Sequence, residues 1–184
     1  METEHQLLKA LNDGDRQAGR RFYERFVGRA MSVALRYVPS REAAEDVVQD
    51  SFVRMLTSIG QFQYRGEGSL KAWASQVVAN RAFDYVKEHE RMTTTDHLPD
   101  LAEEPPEEDA VVENVPPDVL TRMIAQLPAG YRMVLNLYVF EHYSHSQIAS
   151  RLGIKEKSSA SQLARARKML RTMMNEYLKQ QQST

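Results

Sequence analysis

Apolar residues recur along most of the chain at the three- and four-residue steps of an amphipathic helix. One such stripe lies within a predicted helix over residues 17–38 and consists of Phe22, Phe26, Ala30, Met31, Ala34 and Val38. Period-two alternation and β-branched runs are scarce, so the sequence predicts an all-α fold. Predicted helices cover residues 4–11, 17–38, 41–58, 118–126 and 128–141, and two more begin near residues 144 and 156. A further helix, capped by Ser69, runs to about residue 91.

The last two helices have the pattern of a helix-turn-helix. Ser144 and Gln147 have the spacing of a capping box, which pairs two N–H groups at a helix start. Gly153 can adopt the positive φ that ends that helix, and a second, basic helix follows from about Glu156. In DNA-binding proteins of this type the second helix enters the major groove. A solvated amphipathic helix within a bundle is the alternative.

The second helix has two faces. Leu163, Ala166, Leu170 and Met173 are spaced to pack inward. The opposite face carries side chains that can bind phosphates or base edges: Ser158, Ser161, Gln162, Arg165 and Lys168.

The composition divides the chain into two small domains. Residues 92–117 are rich in Pro and acidic residues, which favours a flexible linker between domains at 1–91 and 118–184. Residues 122–184 contain 10 Lys and Arg against 3 Asp and Glu. The C-terminal domain is therefore basic, although the formal net charge of the whole chain is only −1.

The absence of cysteine excludes a disulfide framework or thiolate zinc site. Without a signal-peptide pattern or a long apolar span, we expect a cytoplasmic protein with no membrane insertion.

A second set of residues suggests binding of single-stranded DNA. Phe62, Tyr64 and Trp73 are interleaved with Arg65 and Lys71, and Arg81, Lys87 and Arg91 follow on the fourth helix. Aromatic rings can stack on exposed bases while cations neutralise phosphates. Alternatively, the rings belong to the core and the cations to a solvated face.

The third helix has its apolar face at Ala44, Val48, Phe52, Met55 and Leu56, and a neighbouring side is acidic. Asp46, Gln49 and Asp50 lie beside Val47 and Val53. An apolar surface with an acidic rim suits docking on a basic partner helix, although a carboxylate face can also be simply solvated.

These segments together resemble a known family. The first domain resembles region 2 of the extracytoplasmic-function (ECF) sigma factors of bacterial RNA polymerase, from LNDGDRQAGRRFYERF through YVPSREAAEDVVQDSFVRML to FQYRGEGSLKAWASQVVANRAFDYVKEHER. The second resembles their region 4, from IAQLPAGYRMVLNLYVFEHYSHSQIASRLGI to SQLARARKML. The resemblance implies a subunit that binds core polymerase and directs it to promoters, with region 4 at the minus-35 element and region 2 at the minus-10 element.

The resemblance also implies roles for individual residues. Residues expected to dock on polymerase are Asp46, Gln49, Asp50 and Phe52. Residues expected at the minus-10 element are those at and beside the loop that captures a flipped base, Phe62, Tyr64, Arg65, Lys71 and Trp73, and those that face the duplex edge where melting starts, Asn80 and Arg81. Ser161, Arg165 and Arg167 match minus-35 positions. The chain departs from the family pattern at Lys155, where a capping Ser is frequent, and at Ala160, where a basic residue is common.

The family resemblance also implies binding partners, and a conventional regulator and an enzyme are the alternative functions. The resemblance implies core RNA polymerase, promoter DNA and an anti-sigma factor as partners, with no cofactor and no obligate homo-oligomer. A rival is a conventional regulator that dimerises on a palindrome, which does not need the FQYR loop or the acidic DVVQD face. An enzyme is not expected, because Glu141, His142 and His145 do not have the HExxH zinc spacing.

Overall fold

The computed structural model describes residues 2–90 and 115–182, and every regular element in these two ranges is helical. The all-α prediction is therefore confirmed. The helices are α1 (Glu4–Asn12), α2 (Ala18–Tyr37), α3 (Arg41–Ser58), α4 (Ser69–His89), α5 (Pro117–Ala125), α6 (Ala129–Leu135), α7 (His145–Leu152) and α8 (Glu156–Gln182). A 3₁₀ turn, Ile59–Gln61, follows α3, and a π turn, Asn136–Phe140, follows α6.

The chain divides into two compact units, Met1–Glu88 and His89–Thr184. Most of the predicted linker lies outside the described residues. Of its last three residues, Val115 is buried, and Pro117 is already the first residue of α5. Proline suits that position because the first N–H groups of a helix have no intrahelical partner.

The first unit is built around the packing of α2 against α3. Phe22 lies at its centre, with ring centroids 5.0 Å from Phe26 and 5.7 Å from Phe52. Between the two helices Pro39 stops α2, and the Ser40 hydroxyl accepts a hydrogen bond from Ala43 N at 3.3 Å to cap α3. The predicted stripe of α2 is buried except for Met31, which is half-buried.

Two expectations about the faces of α3 are wrong. Leu56, expected on the inward face, is 40% exposed, whereas Val47, expected beside the acidic surface, is fully buried. The inward stripe instead follows Ala44, Val47, Val48 and Ser51 before reaching Met55. Helical spacing alone left the rotation of this stripe uncertain, because α3 has apolar residues on more than one side.

The second unit packs α5, α6 and α7 against the long helix α8. Arg132 is 3% exposed, and its guanidinium donates to the carbonyls of Ala125 and Leu127 at 3.1 and 2.8 Å. This arginine thereby pairs the last carbonyls at and just after the end of α5, which would otherwise lack partners. The predicted helix 128–141 is interrupted where the backbone widens into the π turn, with Glu141 N donating to Asn136 O.

On α8 the predicted inward residues Leu163, Ala166 and Leu170 are all buried. Met173 is half-buried, and Met174 takes the next core position instead. Four-residue steps from Ala166 keep Leu170 and Met174 on the same side of the helix, which explains the shift.

Candidate nucleic-acid interface

The helix-turn-helix in the second unit forms as predicted from its capping residues. Gln147 N donates to Ser144 Oγ at 3.2 Å, and Ser144 N donates to Gln147 Oε1 at 2.8 Å, which completes the capping box of α7. Gly153 ends α7 with a φ of 67°, and the next residue, Ile154, donates its N–H to Ala149 O at 3.1 Å. The turn thus leads directly into α8.

The six residues predicted to bind DNA on α8 have different exposures. Ser161, Arg167 and Lys168 are exposed, and Ser158 and Arg165 are half-buried. The placement of Gln162 on the polar face is wrong, because it is only 7% exposed. Gln162 adjoins the core residue Leu163 and lies one turn from Ala166, so its side chain turns inward with theirs.

A small aromatic cluster explains the position of Arg167. The guanidinium carbon of Arg167 lies 5.8 Å from the centre of the Tyr138 ring, a cation–π distance. The same ring stacks on His145 with centroids 4.6 Å apart, and His145 Nδ1 lies 2.9 Å from Ser159 Oγ. His145 therefore ties the first turn of α7 to the start of α8.

In the first unit, the 62–68 loop between the 3₁₀ turn and α4 carries the predicted aromatic residues. Phe62 and Trp73 are half-buried, with ring centroids 5.1 Å apart and an interplanar angle of 39°. Tyr64 lies against His5 at 5.1 Å and donates its hydroxyl to Glu67 at 3.2 Å. Partial burial and this hydrogen bond raise the pKa of the Tyr64 phenol above its ordinary value. These partly exposed rings leave aromatic surface available beside the exposed cations Arg65 and Lys71.

Two glutamates hold this loop, and sequence reasoning did not identify either. The Glu4 carboxylate accepts the N–H groups of Gly68, Leu70 and Lys71 at 2.8, 2.9 and 3.1 Å. In return, the Glu67 carboxylate accepts Glu4 N at 3.2 Å. Ser69, predicted to cap α4, is instead its first residue and donates its hydroxyl to Gly66 O. No local pattern indicates a cap supplied from 64 to 67 residues away along the chain.

The Glu67 carboxylate also accepts a hydrogen bond from Arg25 at 3.2 Å. Beside it is an open recess whose cationic lining residues are Arg25, Arg29 and Lys71. Arg29 in turn donates from Nε to Ser75 Oγ at 2.8 Å on α4. Cations from α2 and α4 therefore converge next to the loop, where they can attract phosphate groups.

Residues predicted for two different partners meet at Arg81. Its Nε and Nη2 both lie 3.0 Å from Asp50 Oδ2, and Nη1 lies 3.7 Å from Glu88. The Arg81 side chain is only 15% exposed, whereas that of Asp50 is 55% exposed. Asn80, the neighbouring predicted residue, is exposed and accepts from Gln76 Nε2 at 3.4 Å. Sequence spacing gave no indication of this pairing, which joins α3 to α4.

The predicted docking surface on α3 is partly as expected. Asp46, Gln49 and Asp50 are exposed. Phe52, expected to contact the partner, is 5% exposed and packs in the core, 4.7 Å from the ring of Tyr23. Its buried position gives it a supporting role beneath Tyr23. The exposed apolar side chains on this side are Tyr23, Val53 and Leu56, at 44, 63 and 40% exposure.

The two described ranges hold neither a metal-binding cluster nor a helix that could span a membrane. Neither range contains a group of three or more His, Asp or Glu placed to hold a metal ion. None of the helices described combines the length and the apolar character needed to cross a membrane.

Comparison with known proteins matches both units. Residues 22–92 match the family model "Sigma-70 region 2", and residues 118–170 match "Sigma-70, region 4". The chain is 26% identical over 159 residues to the ECF RNA polymerase sigma factor SigM of Bacillus subtilis, covering 83% of this chain and 93% of that protein. It is 24% identical over 179 residues to the ECF RNA polymerase sigma-E factor of Salmonella typhimurium, covering 91% of this chain and 92% of that protein.

Among solved structures, the chain is similar to the sigma factor RpoE in its complex with the anti-sigma factor NepR from Bartonella quintana. The TM-score is 0.47 at 17% sequence identity, and the match covers 86% of this chain and 98% of that chain.

Proposed function

Because the chain belongs to the ECF group of the sigma-70 family, we propose that it binds core RNA polymerase and directs promoter-specific transcription initiation through separate minus-35 and minus-10 contacts. The observation that carries the proposal is the presence, in one chain, of a helix-turn-helix with a basic second helix and of an aromatic loop flanked by cations. The family match supplies the order of the two regions.

In this proposal the second unit reads intact duplex. The start of α8 enters the major groove at the minus-35 element, where Ser158, Ser161 and Arg165 reach bases or phosphates. Arg167 and Lys168 contribute phosphate contacts from the flank. Gln162 is excluded from direct contact by its burial.

The first unit acts after strand separation. A base extruded from the minus-10 element stacks at the loop that contains Phe62 and Tyr64, and Trp73 supports Phe62 from α4. Base–aromatic stacking contributes about 1–3 kcal/mol, which helps offset unstacking costs of a few kcal/mol. The chain itself makes and breaks no bond, so its role is to bind and position polymerase and promoter.

Docking on polymerase uses the exposed side of α3. Asp46, Gln49 and Asp50 supply negative charge and hydrogen-bonding groups, and Val53 and Leu56 supply apolar area. A basic helix of the polymerase with an apolar stripe fits this combination. The proposal also includes an anti-sigma factor as the partner that holds the protein inactive, and a cytoplasmic location, as its family membership suggests.

Run-off transcription tests the proposal as a whole. Full-length protein is mixed with core RNA polymerase and genomic promoter fragments, and transcripts are mapped to their start sites. We expect transcripts that begin downstream of a shared pair of sequence elements and that require this chain. A chain that fails to associate with core polymerase would refute the proposal.

Arg165→Ala tests the minus-35 contact within the same assay. We expect initiation from promoters that depend on the minus-35 element to fall by about tenfold, because one good base contact is worth about 1–3 kcal/mol. Arg122→Ala is the matched control, since Arg122 pairs with Asp118 on α5 at 66% exposure. Equal activity of the two variants would contradict the role of Arg165.

A further inference from the structure

The 62–68 loop contains two glycines with positive φ. Gly66 and Gly68 have φ values of 113° and 93°, which glycine adopts readily and other residues adopt rarely. Local hydrogen bonds join Arg65 N to Ser69 Oγ at 3.2 Å and Ser69 N to Gly66 O at 3.1 Å. Glycine loses more backbone entropy on ordering than any other residue, so a loop with two glycines binds more tightly if it is ordered before binding.

The end of the loop and the first turn of α4 are held by a residue of α1. Glu4 is 3% exposed, and both oxygens of its carboxylate are used: Oε2 accepts Gly68 N and Leu70 N, and Oε1 accepts Lys71 N. These three amides lie at the start of α4, where the partial positive charge of the helix dipole also favours a carboxylate. Both oxygens of the buried Glu4 carboxylate therefore have hydrogen-bond donors, and the helix dipole stabilises its negative charge.

Glu4 is itself firmly held. Leu7 and Leu8 anchor α1 in the core at 0 and 6% exposure, and Thr3 and Gln6 form a capping box at its start. The Glu67 carboxylate, one residue before Gly68, accepts the backbone N–H of Glu4. Glu4 thus pairs orphan N–H groups at the start of α4, and Glu67, two residues before α4, pairs one at the start of α1. This reciprocal capping joins α1 to the end of the loop and the first turn of α4.

We propose that Glu4 is a positioning residue for promoter-strand capture, holding the 62–68 loop and the first turn of α4 in the shape that binds the extruded base. The inference rests on the proposed function of the loop and extends it to a helix outside the residues matched to region 2. Glu4 touches no DNA in this role. It lowers the entropic cost of binding by ordering the loop in advance.

The test uses Glu4→Gln in the full-length chain assembled with core polymerase. Glutamine keeps the size and shape of the side chain but has one acceptor oxygen instead of two. Its NH₂ group therefore lies opposite a backbone N–H group, which loses its acceptor. The probe is a single-stranded oligonucleotide with the non-template minus-10 segment of a promoter that wild-type holoenzyme transcribes. We expect its affinity to fall about tenfold, while affinity for core polymerase stays within about twofold. Glu24→Gln is the matched control, because Glu24 forms only a surface pair with Arg20 at 57% exposure.

Hydrogen exchange separates the positioning role from general destabilisation. In free Glu4→Gln protein, the amides of Gly68, Leu70 and Lys71 should exchange about tenfold faster, while core amides such as Phe22 and Val48 keep wild-type protection. Glu67→Ala, at a position 57% exposed, removes the acceptor of the Glu4 N–H and should weaken strand binding in the same direction if Glu4→Gln folds poorly.

The outcomes distinguish the two proposals. If wild-type holoenzyme binds the oligonucleotide and Glu4→Gln binds it equally well, the positioning role is wrong and the proposed function stands. If strand binding and polymerase binding fall together, Glu4 serves only the stability of the unit, and the positioning role is again wrong. If the wild-type holoenzyme does not bind the oligonucleotide, the proposed capture by the loop fails, and the positioning role fails with it.

Discussion

At the scale of single residues, the pair formed by Asp50 and Arg81 connects surfaces that the sequence assigned to different partners. Asp50 belongs to the predicted polymerase-docking side of α3, and Arg81 to the predicted minus-10 side of α4. Both Nε and Nη2 of Arg81 lie 3.0 Å from the same carboxylate oxygen. A substitution at Asp50 therefore removes a docking charge and also releases Arg81, so its effects on the two partners are mixed.

A double-mutant cycle measures this connection. We expect Asp50→Ala, Arg81→Ala and the double variant to give a coupling free energy of about 0.5–1 kcal/mol in urea unfolding, near the upper end for partly exposed pairs because Arg81 is mostly sheltered. High salt should reduce the coupling. A coupling indistinguishable from zero would mean that the pair adds no stability in solution.

Asp46→Ala isolates the docking charge from the ion pair, because Asp46 lies one turn before Asp50 on the same exposed side of α3. We expect weaker binding to core polymerase by about threefold to tenfold, with a larger effect at low ionic strength, as for charges at the rim of an interface. Titration of labelled protein with core polymerase measures this. Asp84→Ala, exposed on α4, is the control, and an equal loss there would contradict a specific role of Asp46.

At the scale of elements, helix ends determine how the candidate sites are presented. α7 begins with a local capping box and ends at Gly153, so all the information for this turn lies within ten residues. The start of α4, in contrast, takes its acceptors from Glu4 on α1. The first kind of cap follows from a short motif, and the second requires the tertiary structure.

Two glycine-to-alanine substitutions compare the left-handed glycine of the turn with a glycine inside a helix. Gly153→Ala should destabilise the second unit by about 1–2 kcal/mol, because alanine pays the cost of a left-handed conformation at a φ of 67°. Gly28→Ala in α2 should stabilise the first unit by about 0.5–1 kcal/mol, because helical glycine is entropically costly. An added Cβ meets no atom within 4 Å at either site, so backbone conformation alone separates them. Thermal or urea unfolding checks both signs, and stabilisation by Gly153→Ala would contradict the turn.

At the scale of the whole molecule, charge is divided between two units and an acidic segment. The C-terminal 63 residues contain 10 basic and 3 acidic side chains, whereas residues 92–121 contain 9 acidic side chains and no Lys or Arg. Two modest DNA contacts act as one strong contact only when both units are held on the same polymerase. The covalent connection is therefore central to the proposed selectivity.

Cutting that connection tests the argument. A protease site inserted between residues 92 and 114 should leave run-off transcription intact before cleavage, and after cleavage promoter-specific transcription should fall by about 10²–10⁴, the usual gain from tethering. The same protease applied to the wild-type chain is the control. Undiminished transcription from the cut protein would show that the units do not need the tether.

The order and type of the helices were determined by the sequence itself. Periodic apolar residues gave all eight helices, and α3 was bounded correctly at Arg41 and Ser58. The capping box at Ser144 and the left-handed Gly153 were also predictable. These features depend on residues within a few positions of one another, where helical geometry and backbone conformation act directly on side-chain type.

Only the tertiary structure decided which faces are buried and which distant groups pair. Gln162 and Val47 lie in the core although the sequence placed them at surfaces, because each helix is rotated by packing against its neighbours. Phe52 is buried, as its helical spacing predicts, although the family resemblance placed it at the polymerase contact. Glu4 reaches the start of α4, and Asp50 reaches Arg81, across 64 to 67 and 31 positions of the chain. Such contacts are set by how helices pack, and a one-dimensional pattern carries no information about the distance between residues on different helices.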